Sequence, residues 1–476
     1  MDEAGLHRDA ATGDAPGSPE AVDSPGSPAR TTGSGFVSGG PDPGLLADCV
    51  HCGFCLPACP TYDLWGEEMD SPRGRIQLME LVGQGEVALD DTVVGHFDAC
   101  LGCMACVTAC PSGVAYDTLI EQTRAAVEAT HVRGWGERVF RRAIFALFPE
   151  PRRLRVALAL GWAFRRSGLR ALASRAGLLR RLPARLATLD ALTPDVGWSQ
   201  LRGQPTAGAR PSGATRARVA LLTGCVESVL FSDVQAAAVR VLAAEGCEVL
   251  VPPRQGCCGA LGLHSGEVDH ARSKARALLD SLAGCDVDAF VTCTAGCGSA
   301  LKGYGDLLAG DPAYAAAASA FADRVRDVNE WLDELGPVAD RHPIPARVVY
   351  QEACHLGHAQ GVRSAPRSLL AGIPGLEVVD LGDGQRCCGS AGLYNLFEPE
   401  PAAELGRRKA SHIAAHAPDL VASANAGCAL QIGRFADVPV RHPVELLDAA
   451  IRGTQPRLAQ DTRSQATPTS EGEPSR

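Results

Sequence analysis

Eight cysteines fall in two runs of identical spacing, Cys49-x2-Cys52-x2-Cys55-x3-Cys59-Pro60 and Cys100-x2-Cys103-x2-Cys106-x3-Cys110-Pro111. Three thiolates at two-residue gaps let one tight loop clamp three irons of a [4Fe–4S] cubane. The fourth, carried off by the following proline, reaches the neighbouring cluster. On that logic Cys49, Cys52, Cys55 and Cys110 hold one cluster, and Cys100, Cys103, Cys106 and Cys59 hold the second. A structural zinc site accounts for four cysteines but not for eight in a duplicated pattern. The chemistry indicated is electron carriage.

A second set of cysteines repeats further along. Cys225, Cys257-Cys258-Gly259 and Gly296-Cys297 are matched by Cys354, Cys387-Cys388-Gly389 and Gly427-Cys428, at offsets of 129 to 131 residues. That period marks a duplicated domain, since solenoid units are far shorter. Adjacent cysteines do not readily bridge to each other, because their Cα atoms lie closer than disulfide geometry requires. Two neighbouring thiolates before a glycine instead suit a tight turn facing one metal centre. Each half thus offers four thiolates for a further cluster or a zinc ion: Cys225, Cys257, Cys258 and Cys297, then Cys354, Cys387, Cys388 and Cys428. The alternative is a degenerate domain that keeps its cysteines for redox or packing reasons. Cys293 has no counterpart in the second half, where Ala424 stands, and Cys247 and Cys285 read as ordinary buried residues. His355 and His358, just after Cys354, are candidates to tune or ligate a centre, whereas His264 reads as structural.

These side chains need elements to hold them. Between the first two cysteine runs, Ser71-Pro72 followed by apolar residues at helical spacing predicts a helix starting near Pro72. Arg73 and Arg75 on its first turn either neutralise cluster charge, bind a partner or are simply solvated. Each later repeat opens with a β-rich run (217–222 and 347–350), then a helix, a second strand (248–251 or 377–380) and a third (289–292 or 420–423). Strands alternating with helices imply parallel α/β sheets, with sites at the carboxyl ends of strands. All eight matched repeat cysteines follow such a strand. The expected fold is therefore a mixed α+β and α/β multidomain chain, a helical two-cluster ferredoxin-like domain followed by two duplicated α/β Cys-Cys-Gly domains. Its expected segments are a disordered tail over 1–43, the two-cluster domain over 44–130, a basic helical connector and linker over 131–215, repeats over 216–340 and 341–451, and a second tail over 452–476.

Composition narrows the setting. Apolar residues make up 46% of the chain, ample for several cores. Nineteen cysteines, an odd number gathered in metal-type clusters, argue for a reducing cytoplasm over disulfides. The start is rich in Pro, Gly, Ser and Asp, unlike an ordinary secretory signal, and no run is long and apolar enough to span a bilayer. A net charge of −10 gives no reason to expect nucleic acid. Within it, residues 133–185 hold fourteen arginines against Glu137 and Glu150, interleaved with Leu154, Leu158, Trp162, Leu169 and Leu172. Such a segment is either an amphipathic contact with an anionic membrane surface, peripheral on the inner face of the plasma membrane, or a connector packed on the protein.

The stretches Cys49-Val50-His51-Cys52-Gly53-Phe54-Cys55 and Asp70-Ser71-Pro72-Arg73-Gly74-Arg75, with Cys100-Leu101-Gly102-Cys103, Cys354-His355-Leu356 and Asn425-Ala426-Gly427-Cys428, resemble the iron–sulfur subunit of bacterial glycolate oxidase. The resemblance covers roughly residues 44–450. It implies an electron-transfer subunit of a glycolate/D-lactate dehydrogenase complex. A separate FAD flavoprotein subunit would oxidise the 2-hydroxy acid and pass electrons through the two cubanes to a membrane quinone or another acceptor. The Cys-Cys-Gly class is broader and also implies alternatives: a subunit serving L-lactate or glycerol-3-phosphate oxidation, or a heterodisulfide-reductase-like thiol/disulfide enzyme. The chain has no G-x-G-x-x-G between strand and helix, so substrate chemistry is expected elsewhere, with no catalytic residue here.

Overall fold

The computed structural model describes residues 35–36, 39–177, 181–194, 207–382 and 385–459. Most of the two expected tails, and residues 178–180 and 195–206 of the expected connector and linker, lie outside this set.

The helix expected at Pro72 is α1, Pro72–Gly83. Proline at the first position costs no hydrogen bond there, and the Ser71 hydroxyl accepts from the Gly74 amide at 3.0 Å. Helices α2 (Asp91–Asp98) and α3 (Tyr116–Thr130) pack against it. Met79, Val82, Phe97, Leu119 and Ile120 are completely or almost completely buried between them, and the two cysteine loops lie on this small core.

The basic segment forms helices α4 (Trp135–Leu147), α5 (Pro151–Arg166), α6 (Leu169–Arg175) and α7 (Ala184–Leu192). Its apolar residues divide. Leu154 and Leu158, one turn apart on α5, are buried against Val229, while Leu169 and Leu172 face outward. Its arginines divide as well. Arg133 and Arg141 are buried, sharing Glu128 and Glu137, with Asp98 a further partner of Arg133.

Two four-stranded parallel sheets follow. Strands β1 (Ala217–Leu222), β2 (Cys247–Leu250), β3 (Ala289–Thr292) and β4 (Val325–Asp327) run in the order β2-β1-β3-β4. Strands β5 (Ala346–Gln351), β6 (Leu376–Asp380), β7 (Leu420–Ser423) and β8 (Val440–Arg441) repeat it as β6-β5-β7-β8. The register repeats too: Ala217 pairs with Cys247 as Ala346 pairs with Leu376, and Val219 with Ala289 as Val348 with Leu420. β4 and β8 were not expected from sequence. Nor is the linker wholly free, for Ala209 exchanges two backbone hydrogen bonds with Val249 at the edge of the first sheet.

Covering helices include α8 (Ser232–Ala244), α9 (Val268–Ser281), α10 (Ala295–Lys302) and α11 (Val328–Leu335) in the first repeat. In the second they are α12 (Ser364–Ala371), α13 (Pro399–Ala415), α14 (Ala426–Phe435) and α15 (Pro443–Arg452). One apolar core runs through both sheets, joining Val219, Val291, Val348 and Leu420. Arg240 of α8 reaches Asp448 of α15 at 2.7 Å. The halves are therefore fused, which brings their strand ends, and their cysteines, face to face.

Candidate iron–sulfur site

The two N-terminal loops share a backbone device. In each, the residues flanking the second cysteine adopt left-handed conformations: His51 and Gly53 at φ 53° and 85°, Gly102 and Met104 at φ 59° and 61°. His51 and Met104 bear the cost such conformations impose on a side chain; Cys52, between His51 and Gly53, is exposed, while Cys103 is half-buried. Cys59 lies between the loops, since its sulfur is among the neighbours that, after burial, push up Cys55 of the first loop and Cys103 and Cys106 of the second. Cys110 packs on the same core as Cys49 and Cys55. Cys100 and Cys106 belong to that core as well, so cysteines of both loops lie together there.

Arg75 fixes the surroundings of Cys59. Completely buried, it donates to His96 O at 2.6 Å and to Thr61 Oγ1 at 3.1 Å, and pairs with Asp70 at 3.2 Å. Thr61 in turn donates to Asp70 O at 2.6 Å and lies 3.2 Å from the Cys59 sulfur. Burial works against the guanidinium charge, but Cys100, Tyr116, Cys59 and Asp70 raise its pKa. Burial likewise raises Cys100, yet Arg75, Arg124, the Gly102 amide and the Tyr116 hydroxyl outweigh it and favour thiolate. Arg75 is thus an internal counter-charge, not a solvated residue. Arg73 pairs with Glu68 at 2.6 Å and donates to His51 O at 2.9 Å, bracing the first loop.

In the repeats each Cys-Cys-Gly makes its turn at the carboxyl end of the strands. Gly259 and Gly389 have φ of 83° and 85°. A Cβ there would stand 3.0 Å from Ala271 O or 2.5 Å from Ala402 O, so only glycine permits the close approach of α9 and α13. Cys225 Sγ and Cys257 Sγ lie 3.5 Å apart. Cys257 is held well below an ordinary thiol by hydrogen bonds with Cys225 and Cys258, and Cys388 by those with Cys387 and Cys428. Lys274 and the buried Lys409, carried by α9 and α13, further lower Cys257 and Cys388 respectively.

Sequence reasoning missed those lysines and a repeated glutamine clamp. Gln255 accepts from Thr223 N at 2.8 Å and donates to Leu221 O at 2.9 Å; Gln385 accepts from Glu352 N and donates to Tyr350 O, each at 3.0 Å. Each glutamine ties its Cys-Cys turn to the end of the first strand. Its offset of 130 residues equals that of the first cysteine of each pair, and this was the signal available in the sequence.

The repeat cysteines are brought together across the halves. All eight line one cavity of about 350 Å³, joined by Cys103 of the second N-terminal loop. Cys103 packs in one apolar cluster with Cys354 and Cys387. His355 Nε2 meets Gly102 O at 3.1 Å, and its ring stacks 4.9 Å from His264, which meets Glu121 at 3.0 Å. Burial lowers His355 to about 3, so it is neutral. The two histidines therefore seat one module on the other, and His358 does the same through Thr108 at 2.7 Å. Cys293 and Cys247 are buried, while Cys285 is half-buried. Among the described residues no group of three or more His, Cys, Asp or Glu side chains is placed to hold a single metal ion. The paired, largely buried sulfurs with cationic neighbours fit a polynuclear iron–sulfur centre, which spreads its thiolates over a wider frame.

Comparison with known proteins agrees with this construction. The family model for a 4Fe-4S dicluster domain matches residues 45–114, and that for a cysteine-rich domain matches 219–302 and 348–433. Between them, the model of the glycolate oxidase iron-sulfur subunit linker region matches 136–193. The chain is 39% identical to a probable glycolate oxidase iron-sulfur subunit of Bacillus subtilis, over 82% of this chain and 89% of that one. It is 32% identical to the glycolate oxidase iron-sulfur subunit of Escherichia coli, over 86% and 94%. A lactate utilization protein A of Oceanobacillus iheyensis is 28% identical over 50% of this chain and 98% of its own. With its dicluster module, its linker and both cysteine-rich halves matched in order, the chain belongs to the family of glycolate oxidase iron–sulfur subunits.

Proposed function

We propose that the chain carries electrons from a partner FAD flavoprotein, which oxidises glycolate or D-lactate, to a quinone at the inner face of the plasma membrane. The observation supporting this route is the placement of Cys103, which belongs to the second N-terminal loop yet lines the cavity of the eight repeat cysteines. Cys49, Cys52, Cys55 and Cys110 hold the first [4Fe–4S] cluster, and Cys100, Cys103, Cys106 and Cys59 the second. Cys225, Cys257, Cys258 and Cys297, and Cys354, Cys387, Cys388 and Cys428, hold further iron–sulfur centres when loaded. These centres supply one-electron steps; the protein supplies burial, counter-charge and spacing. The functional units are the dicluster domain (44–130), the basic connector (131–215) and the two cysteine-rich repeats (216–340 and 341–451).

Affinity isolation from the host, followed by dye reduction with glycolate, D-lactate and glycerol-3-phosphate in turn, tests the assignment. Activity with either hydroxy acid and none with glycerol-3-phosphate is expected, and the reverse would overturn it. A second reading draws on the facing sulfur sets, which could serve thiol–disulfide chemistry. The isolated chain would then reduce a heterodisulfide with no flavoprotein present.

A further inference from the structure

We infer that the connector side of the cysteine-lined cavity is the acceptor site, and that a long-tailed quinone enters it from an anionic lipid surface through a mouth beside Gly161 and Phe164 of α5. This rests on the reading that electrons reach the repeat cysteines, and adds where they leave.

The cavity has two unlike walls. One is sulfur-rich. The other comes from the connector and is apolar, with Phe148, Leu154, Leu158, Phe164 and Leu192. Iron–sulfur centres held by the repeat cysteines would take up the sulfur-rich side when loaded, which leaves the connector side for the acceptor. Of the cavity's charged lining residues, Arg165 and Asp190 pair with each other at 3.2 Å, and Glu227 is buried. Among the described lining residues no lysine or arginine other than the paired Arg165 faces inward to recognise an anionic acceptor. A neutral, flat, apolar oxidant fits this lining.

The outer face of the same helix indicates where such a ligand comes from. Val156, Leu160 and Phe164, four residues apart on α5, are 60%, 67% and 40% exposed, and Leu169 and Leu172 on α6 continue the stripe at 54% and 64%. Phe164 belongs to both the stripe and the cavity lining. Exposed Arg152, Arg153, Arg166 and Arg175 flank it. An apolar stripe edged with arginine suits the boundary of an anionic bilayer, with each arginine near the surface adding attraction. Lipid-dissolved quinone would then reach the sulfur wall without crossing water.

The chemistry closes. Quinone takes two electrons and two protons, its two C=O groups becoming C–OH. Oxidation of the hydroxy acid on the flavoprotein releases two electrons and two protons as its C–OH becomes C=O.

A Cβ at Gly161 meets no atom within 4 Å, so a large side chain can be added at the mouth without straining the helix. In the complex with the flavoprotein, G161W should lower the ratio of quinone to dye reduction about tenfold. It should also abolish labelling of residues 147–193 by a short-chain azidoquinone in the wild-type protein. L160Q combined with L172Q should reduce flotation of the complex with phosphatidylserine vesicles. Photolabel confined to the flavoprotein, an unchanged ratio in G161W, or flotation insensitive to the stripe would each overturn the placement; protection of the stripe by the flavoprotein would assign it to a protein partner instead. Glycolate-driven reduction of the clusters, followed by EPR in the same samples, separates the two levels. If the clusters are never reduced, the underlying electron route fails, whereas reduced clusters with indifferent variants refute only the site.

Discussion

Cys59 sits in the first cysteine run by sequence and between the two loops in space, held there by Thr61, Asp70 and the buried Arg75. On the crossed grouping expected from its spacing, Cys59→Ser should cost the cluster of Cys100, Cys103 and Cys106. Iron should fall by about four atoms, with loss of one EPR signal while the other persists; loss of the signal from the Cys49 loop would refute the crossing. Arg75→Gln tests the counter-charge. Removing one partner of a buried ion pair strands the other, so stability should drop by about 3–5 kcal/mol in denaturant unfolding under anaerobic conditions. A change within about 0.5 kcal/mol, as for ordinary surface sites, would contradict it. The cysteines were legible from spacing alone. Arg75 was not, because its two-residue separation from Arg73 says nothing about which side chain turns inward.

At the scale of elements, six strands and α1 were legible because each carries its own local signal, either a β-branched run or a Ser-Pro start. β4 and β8, three and two residues long, are too short for any alternation to register. β4 ends on Asp327, which caps α11 by accepting from Asn329 N at 2.8 Å. Burial pushes its carboxyl up to about 6. An acid whose pKa is higher folded than unfolded holds its proton longer in the native state. Its contribution to stability therefore falls as pH rises from about 4 through about 6, and is level above that. Asp327→Asn keeps a capping oxygen and removes the decline. The variant should gain stability relative to wild type between pH 5 and pH 7, by about 1.4 kcal/mol in denaturant unfolding. An equal difference at both pH values would show that Asp327 ionises normally. The connector was legible only in part: its arginine content was plain, but the burial of Arg133 and Arg141 depends on acids supplied by α2, α3 and α4.

At the scale of the whole molecule, the repeat offset revealed the duplication but not its consequence. That both cysteine sets line one cavity follows from a core shared by the two sheets, and no local pattern encodes such packing. Among the described residues no helix is long and apolar enough to cross a membrane, so contact with lipid would be made by the exposed stripe of α5 and α6. The dicluster module joins this assembly through Arg124, which donates to Cys100 O and, at 2.8 Å, to His264 O. The dicluster loops and the repeat cysteines thus lie within one packed body. The most direct test adds glycolate anaerobically to the chain with and without its flavoprotein and follows the cluster EPR signals. Signals of reduced clusters should appear only with both proteins present, the first signal in C59S being retained and the second lost. Reduction of the chain alone by glycolate, or none with both proteins present, would contradict the account.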